Sequence, residues 1–237
     1  MVEKDGSRDT DSVQRSLAMD GPTAAGKSVI GRILSQRLSL HFCDTGLMYR
    51  AATWAVLGAG IQLNDESNII QCVREADLDL SWEKPESPRV LVSGHDVTQK
   101  LREPTIEQAV SKVAGLPGVR DVLVTRQKYI ASRSPVIMVG RDIGKIILPE
   151  ARTKIFLDAS LDERARRRLK DHLESGREVT FEGVRESIAR RDEADNTGHR
   201  SISADQAAED AIVLLTDGLS EASVVEQCLH AYRIGNS

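Results

Sequence analysis

The sequence predicts an α/β fold in which helices cover both faces of a central parallel sheet. Three observations predict it. Short apolar runs alternate with segments of helical period along the 237-residue chain. The first such pair brackets a glycine-rich turn, Gly21 to Ser28. Period-two alternation is confined to residues 78–98, which therefore read as a small antiparallel β insertion and not as the frame of the fold.

The elements follow in order. Ser16-Leu17-Ala18-Met19 reads as a strand, and Lys27 to Leu38 as a helix with Val29, Ile30, Ile33, Leu34 and Leu38 at helical spacing. A short strand is expected near His41–Cys43 and a helix over Tyr49 to Leu57. Leu78 to Trp82 and Arg89 to Ser93 alternate with period two about a proline-containing turn, Glu83–Pro88, and Gly94-His95 leads to a third short segment, Asp96–Thr98. Val136-Ile137-Met138-Val139 is a buried strand and Lys154–Leu157 another. Ser160-Leu161-Asp162-Glu163 has the form of a capping box, so a helix starts there. Ala211–Leu215 is a last strand, and Ser220 to Tyr232 a closing helix carrying Val224, Val225, Cys228 and Leu229. Residues 1–15 are charged, lack an apolar signal region, and are expected to form a flexible N-terminal tail. Residues 16–237 are expected to form a single domain.

Bulk composition excludes several classes. Hydrophobic residues make up 40% and charged residues 29% of the chain, and no apolar run is long enough to span a bilayer, so no membrane association is expected. The formal charge of −4 argues against a nucleic-acid partner, and 3% aromatic residues are too few for a base-stacking platform. Cys43, Cys72 and Cys228 show neither metal-ligand spacing nor a disulfide pattern, so a reducing cytoplasm is expected.

Gly21-Pro22-Thr23-Ala24-Ala25-Gly26-Lys27-Ser28 fits G-x-x-x-x-G-K-[ST] at every fixed position. Glycines let the backbone curl so that successive amides face phosphate oxygens, and the helix starting at Lys27 adds its positive end. Lys27 can reach the β/γ-phosphates, and the Ser28 hydroxyl can face Mg²⁺. The placement between a strand and a helix is the context this motif requires. A nucleoside triphosphate, with Mg²⁺, is therefore the expected ligand of the loop.

The acceptor side must be sought elsewhere. Arg50 follows Asp44-Thr45-Gly46 on the helix after the second strand, where a guanidinium can pair with a phosphate. Arg141-Asp142 ends the strand 136–139, at the carboxyl edge where ligands of parallel sheets bind. Arg164, Arg167 and Arg168 lie on nearby faces of one helix, and Arg190-Arg191 on another beyond a flexible Gly176 turn. Two such helices can close over ATP and neutralise the transferring group.

Taken together, DGPTAAGKS, DTGLMYR, SKVAGLPGVRDVLVTRQ, GRDIG, LPEARTKIFLDAS, ERARRR, RRDEAD and AEDAIVLLTDGLS resemble the bacterial cytidylate kinases, nucleoside-monophosphate kinases of the P-loop class. The resemblance covers about Leu17 to Tyr232. It implies a three-layer P-loop kinase fold with an inserted monophosphate-binding region at about 63–130 and a helical lid at about 164–190. It implies transfer of the ATP γ-phosphoryl group to CMP or dCMP by a monomer. By position it assigns Ser111, Arg120 and Asp142 to cytosine, Arg191 and Asp195 to the ribose, Arg50 and Arg141 to the CMP phosphate, and Arg164, Arg167 and Arg168 to ATP phosphates, with Thr45 among the substrate-binding residues. Residues 21–29, ending at Val29, form the donor-binding loop, with Lys27 and the arginines as the charge-neutralising groups.

The chain departs from the family pattern at two places. A phosphate-binding arginine expected after RRDEAD falls at Gly198, with Arg200 two residues on, and Lys145 stands where threonine usually follows GRDIG. These changes bear on turnover more than on substrate class. Two other functions fit the residues less well: a P-loop kinase for another monophosphate or small metabolite, and a nucleotide-binding regulator without turnover.

Overall fold

A computed structural model describes residues 10–197 and 203–237, with the side chains of 196 and 197 left aside. Five parallel strands form the central sheet in the order β2-β6-β1-β7-β8: β1 (Leu17–Asp20), β2 (His41–Asp44), β6 (Val136–Val139), β7 (Thr153–Asp158) and β8 (Ile212–Leu215). The ladder runs Leu17 opposite Ile137 and Thr153, His41 opposite Val136, and Ile155 opposite Ile212. The expected strands agree with these to within a residue.

Period two sorts the side chains of the inner strands onto two faces. Leu17, Met19, Phe42, Ile137, Val139, Ile155 and Leu157 pack with α2 (Lys27–Leu38) and α9 (Glu221–Gly235). Ala18, Cys43, Val136 and Met138 face the opposite way, into a core with α3 (Thr45–Gly58), α4 (Glu66–Glu75), α5 (Pro104–Ala114) and α6 (Pro117–Arg133). Strands buried on both faces read as continuous apolar runs, as 136–139 does. Ser220 caps α9 by accepting from the Ser223 amide. Ser160 likewise accepts from the Glu163 amide at the start of α7 (Leu161–Glu174), but the Glu163 carboxylate turns to Arg166 and Arg167, so only half of the expected capping box forms.

The antiparallel insertion is β3 (Leu78–Lys84), β4 (Ser87–Val92) and β5 (His95–Asp96). Its turn is tighter than Glu83–Pro88, because pairing continues to Lys84 opposite Ser87 and leaves only Pro85-Glu86 at the tip. That tip covers the β2 edge. The Phe42 amide donates to the Pro85 carbonyl at 2.8 Å, the Trp82 indole donates to the Phe42 carbonyl at 2.8 Å, and the His41 and Trp82 rings stack at 4.6 Å. An edge strand is thereby protected without a sixth parallel partner.

One expectation is corrected. Residues 10–15 are not part of a flexible tail: they form α1 (Thr10–Arg15), with Val13 against the core. The buried Ser12 hydroxyl donates to the Ala131 carbonyl at 2.8 Å, and Tyr232 donates to the Arg15 carbonyl at 2.8 Å. These long-range bonds hold a segment whose own composition gives little reason for order. Residues 1–9 lie outside the described residues.

Candidate active site

The carboxyl ends of the parallel strands open on one edge, and each feeds a polar loop into it. After β1, Gly21 takes φ 144° and Gly26 φ 96°, with Ala24 also left-handed at 63°. A Cβ on Gly21 would stand 2.1 Å from the Leu157 carbonyl oxygen, so both conformation and space demand glycine there. The loop then enters α2. Among the described residues, the Gly26, Lys27 and Ser28 amides have no protein acceptor, as the first turn of a helix leaves them. The Val29 amide by contrast donates to the Gly26 carbonyl, and its side chain is exposed. The Lys27 ammonium folds back onto the Gly21 and Pro22 carbonyls at 2.6 Å each. Burial, reinforced by the Arg141 guanidinium, lowers its pKa to about 7.

Around this loop the structure gathers guanidinium groups from distant parts of the chain. Arg141, after β6, pairs with the buried Asp195 of α8 (Phe181–Thr197) and donates to the Thr23 hydroxyl at 2.5 Å. Arg164 of α7 donates to Asp192 at 2.6 Å and to the Thr23 carbonyl at 3.3 Å. Arg167 donates to the Ala25 carbonyl at 3.3 Å and to the Thr216 carbonyl at 2.7 Å. Arg120 of α6 pairs with Asp142. The Ser28 hydroxyl donates to Asp44 at 2.7 Å, and the Thr45 hydroxyl to the Val139 carbonyl at 3.0 Å.

Arg50, on α3, turns toward the insertion. Its guanidinium donates to Glu107 at 3.0 Å and to the Leu101 carbonyl at 3.4 Å. That bond, with Arg168 and Arg191 nearby, holds the Glu107 carboxyl below the usual carboxylate range against the opposing effect of burial. Glu107 therefore links Arg50 to two arginines of the helical pair α7–α8. Among the described residues, Ser111 is one expected site residue that the structure does not bring in: it is exposed on α5, and no side-chain hydrogen bond ties it to Arg120 or Asp142. Gly198 and Arg200 lie outside the described residues.

Sequence reasoning missed four participants: Asp20, Glu107, Asp192 and Thr216. Asp192 and Thr216 anchor Arg164 and Arg167, and Glu107 anchors Arg50. Asp20 is 5% exposed and accepts the Ile143 amide at 2.7 Å and the Gly144 amide at 2.8 Å. Burial raises its carboxyl above the usual range, opposed by those two amides and by Lys27. A carboxylate just before the first loop glycine was a usable sequence signal. Glu107, by contrast, looks like any helix-surface glutamate.

A curled loop of donors at the edge of a parallel sheet, closed in by arginines from three helices, is the arrangement of a P-loop nucleotide kinase. Residues 17–234 match the family model described as Cytidylate kinase. Curated relatives called Cytidylate kinase are similar over nearly the whole chain. The protein of Caldanaerobacter subterraneus subsp. tengcongensis is 43% identical over 92% of this chain and 94% of its own length. That of Roseiflexus castenholzii is 45% identical over 88% and 89%, and that of Bacillus subtilis 40% identical over 91% and 95%. The chain belongs to the cytidylate kinase family.

Proposed function

We propose that this chain transfers the γ-phosphoryl group of ATP to CMP or dCMP, giving ADP and CDP or dCDP. The Arg120–Asp142 pair beside the phosphate-binding loop carries the reading. Cytosine presents an amino donor next to ring acceptors, so a carboxylate and a guanidinium side by side complement its edge. Uracil reverses that pattern at two positions and leaves the pair unmatched. The Ser111 hydroxyl joins them once the insertion closes on the base. Arg191 and Asp195 hold the ribose, and Thr45, Arg50 and Arg141 the acceptor phosphate.

The chemistry then needs little beyond position and charge. An acceptor phosphate oxygen is already a nucleophile. It forms a bond to the γ-phosphorus as the bond to the ADP oxygen breaks, and no protein base need take a proton. Within the loop of residues 21–29, the Gly26, Lys27 and Ser28 amides and the Lys27 ammonium hold the donor phosphates. Arg164, Arg167 and Arg168, on the lid of about 164–190, neutralise charge on the transferring group, and lid closure over the insertion of about 63–130 excludes water that would otherwise hydrolyse ATP.

The Ser28 hydroxyl beside the Asp44 carboxylate is a pair of hard oxygen donors, which fits Mg²⁺ arriving with the nucleotide. Bound there, the ion would draw charge off the donor phosphates. Among the described residues no cluster of three or more His, Cys, Asp or Glu is placed to hold a metal, in keeping with an ion held chiefly by the nucleotide itself. No helix of the described residues is long and apolar enough to cross a membrane, and a cytoplasmic monomer remains our reading.

Asp142→Asn tests the assignment. The preference for CMP over UMP, measured as the ratio of kcat/KM, is expected to fall by about 10- to 100-fold, the worth of a hydrogen bond to a charged group. An unchanged preference would remove Asp142 from base recognition.

A further inference from the structure

We propose that Asp20 is a positioning residue whose carboxylate ties the Arg141-Asp142 loop to the phosphate-binding loop, so that acceptor recognition and donor binding form one rigid unit. The proposal rests on the reading of Arg141 and Asp142 as acceptor-side groups.

The backbone cannot make this tie. The β1–β6 ladder ends where the Gly140 amide donates to the Met19 carbonyl at 3.0 Å. Beyond it, Asp142 turns the chain at φ −151° and ψ 33°, into a short helical turn over Ile143–Ile147. The first amides of such a turn have no partner within it. Asp20 supplies one for each of two, Oδ1 taking Ile143 and Oδ2 taking Gly144. The carboxylate thus continues the ladder by side chain after the main chain has left it.

The tie is stiff at both ends. Asp20 is followed at once by Gly21, which lies too close to Leu157 for any side chain, so the strand end has little freedom. At the other end, a Cβ on Gly144 would stand 3.2 Å from Lys154 Cδ and 3.4 Å from Asp20 Oδ2, so a larger residue would crowd the bonded carboxylate. Asp20 is almost wholly buried, and water cannot easily replace either amide bond. Only a carboxylate suits the place. Asparagine has nearly the same volume but offers one oxygen, and its NH₂ would face the second amide donor to donor.

Asp20→Asn is the test, with kinetics and amide exchange read together. The expected result is a rise of about tenfold in KM for CMP, as for one lost charge-assisted hydrogen bond, a much smaller change in KM for ATP, and faster hydrogen exchange at Ile143 and Gly144. Loss of kcat alone with both KM values unchanged, or undiminished protection of the two amides, would overturn the proposal. If the variant does not fold, exchange in the wild-type chain decides: slow exchange at both amides supports the tie, and exchange at unstructured rates refutes it. Asp142→Asn run in parallel separates the two claims. If that variant keeps its CMP preference, the acceptor-side reading of the loop fails, while the exchange data still decide whether Asp20 holds it.

Discussion

Lys27 shows how local surroundings set the charge of a single group in the phosphate-binding loop. Its ammonium lies among Gly21 and Pro22 carbonyls, with Asp20 and Asp44 favouring the charge and Arg141 and Arg191 opposing it. Burial prevails and lowers its pKa to about 7. A triphosphate entering the loop brings negative charge beside that nitrogen and raises its pKa again. At about pH 8, where free Lys27 is mostly neutral and the phosphates of ATP are already ionised, binding should therefore take up a proton. Calorimetry in two buffers of different ionisation enthalpy is expected to give different binding enthalpies. The difference should fade below about pH 6, where Lys27 is protonated before the ligand arrives. Lys27→Ala should lose this buffer dependence together with about 10²-fold or more of kcat. A buffer-independent enthalpy in the wild-type chain would show that the lysine enters the complex already charged. The loop itself was legible because its requirements are local: two glycines at fixed separation, a lysine and a hydroxyl. The partners of its arginines were not, since Glu107 and Asp192 sit 57 and 28 residues from Arg50 and Arg164 and only topology brings them together.

At the scale of elements, α7 and α8 differ from the rest of the molecule. Among the described residues, their shared core is a small cluster of Ala165, Val184 and Ile188, with Leu161, Leu169, Phe181 and the loop residue Ala24 packed against it. The Arg185–Asp162 pair across them is half exposed and adds little. So small a cluster allows this pair of helices to open at low cost while the sheet stays folded. Ile188→Ala should speed hydrogen exchange over residues 161–195 and lower kcat. The chain's global unfolding free energy should change by less than about 1 kcal/mol, below the about 2–5 kcal/mol of an integral core position. Global destabilisation with no local change in exchange would mean that the pair belongs to the main cooperative unit. The frame helices α2 and α9 were readable from apolar spacing. Inside the insertion α4, α5 and α6 were not assigned, although their start signals are present: Asp65 accepts the Asn68 amide, and Pro104 and Pro117 occupy first turns. Residues 10–15 carry no comparable local signal, since their order comes from Ala131 and Tyr232, more than a hundred residues away.

The whole molecule carries a net charge of −4, yet it concentrates Arg50, Arg120, Arg141, Arg164 and Arg167 around a single edge of one sheet. These guanidiniums pair with Glu107, Asp142, Asp195, Asp192 and backbone carbonyls, which offset the repulsion among the gathered cations. Under the proposed function, two phosphorylated ligands would supply the same negative charge on entering, and the site would exchange partners without having to assemble from scattered parts. The function proposed for this site is transfer of a phosphoryl group from ATP to a cytidine monophosphate. Its most direct test is ADP formation by the purified chain with ATP and Mg²⁺, compared across CMP, dCMP, UMP, AMP and GMP. The account predicts rapid ADP release with CMP or dCMP, far slower release with the others, and almost none without an acceptor. Equal rates with all five, or ADP released at the same rate when no acceptor is present, would contradict it.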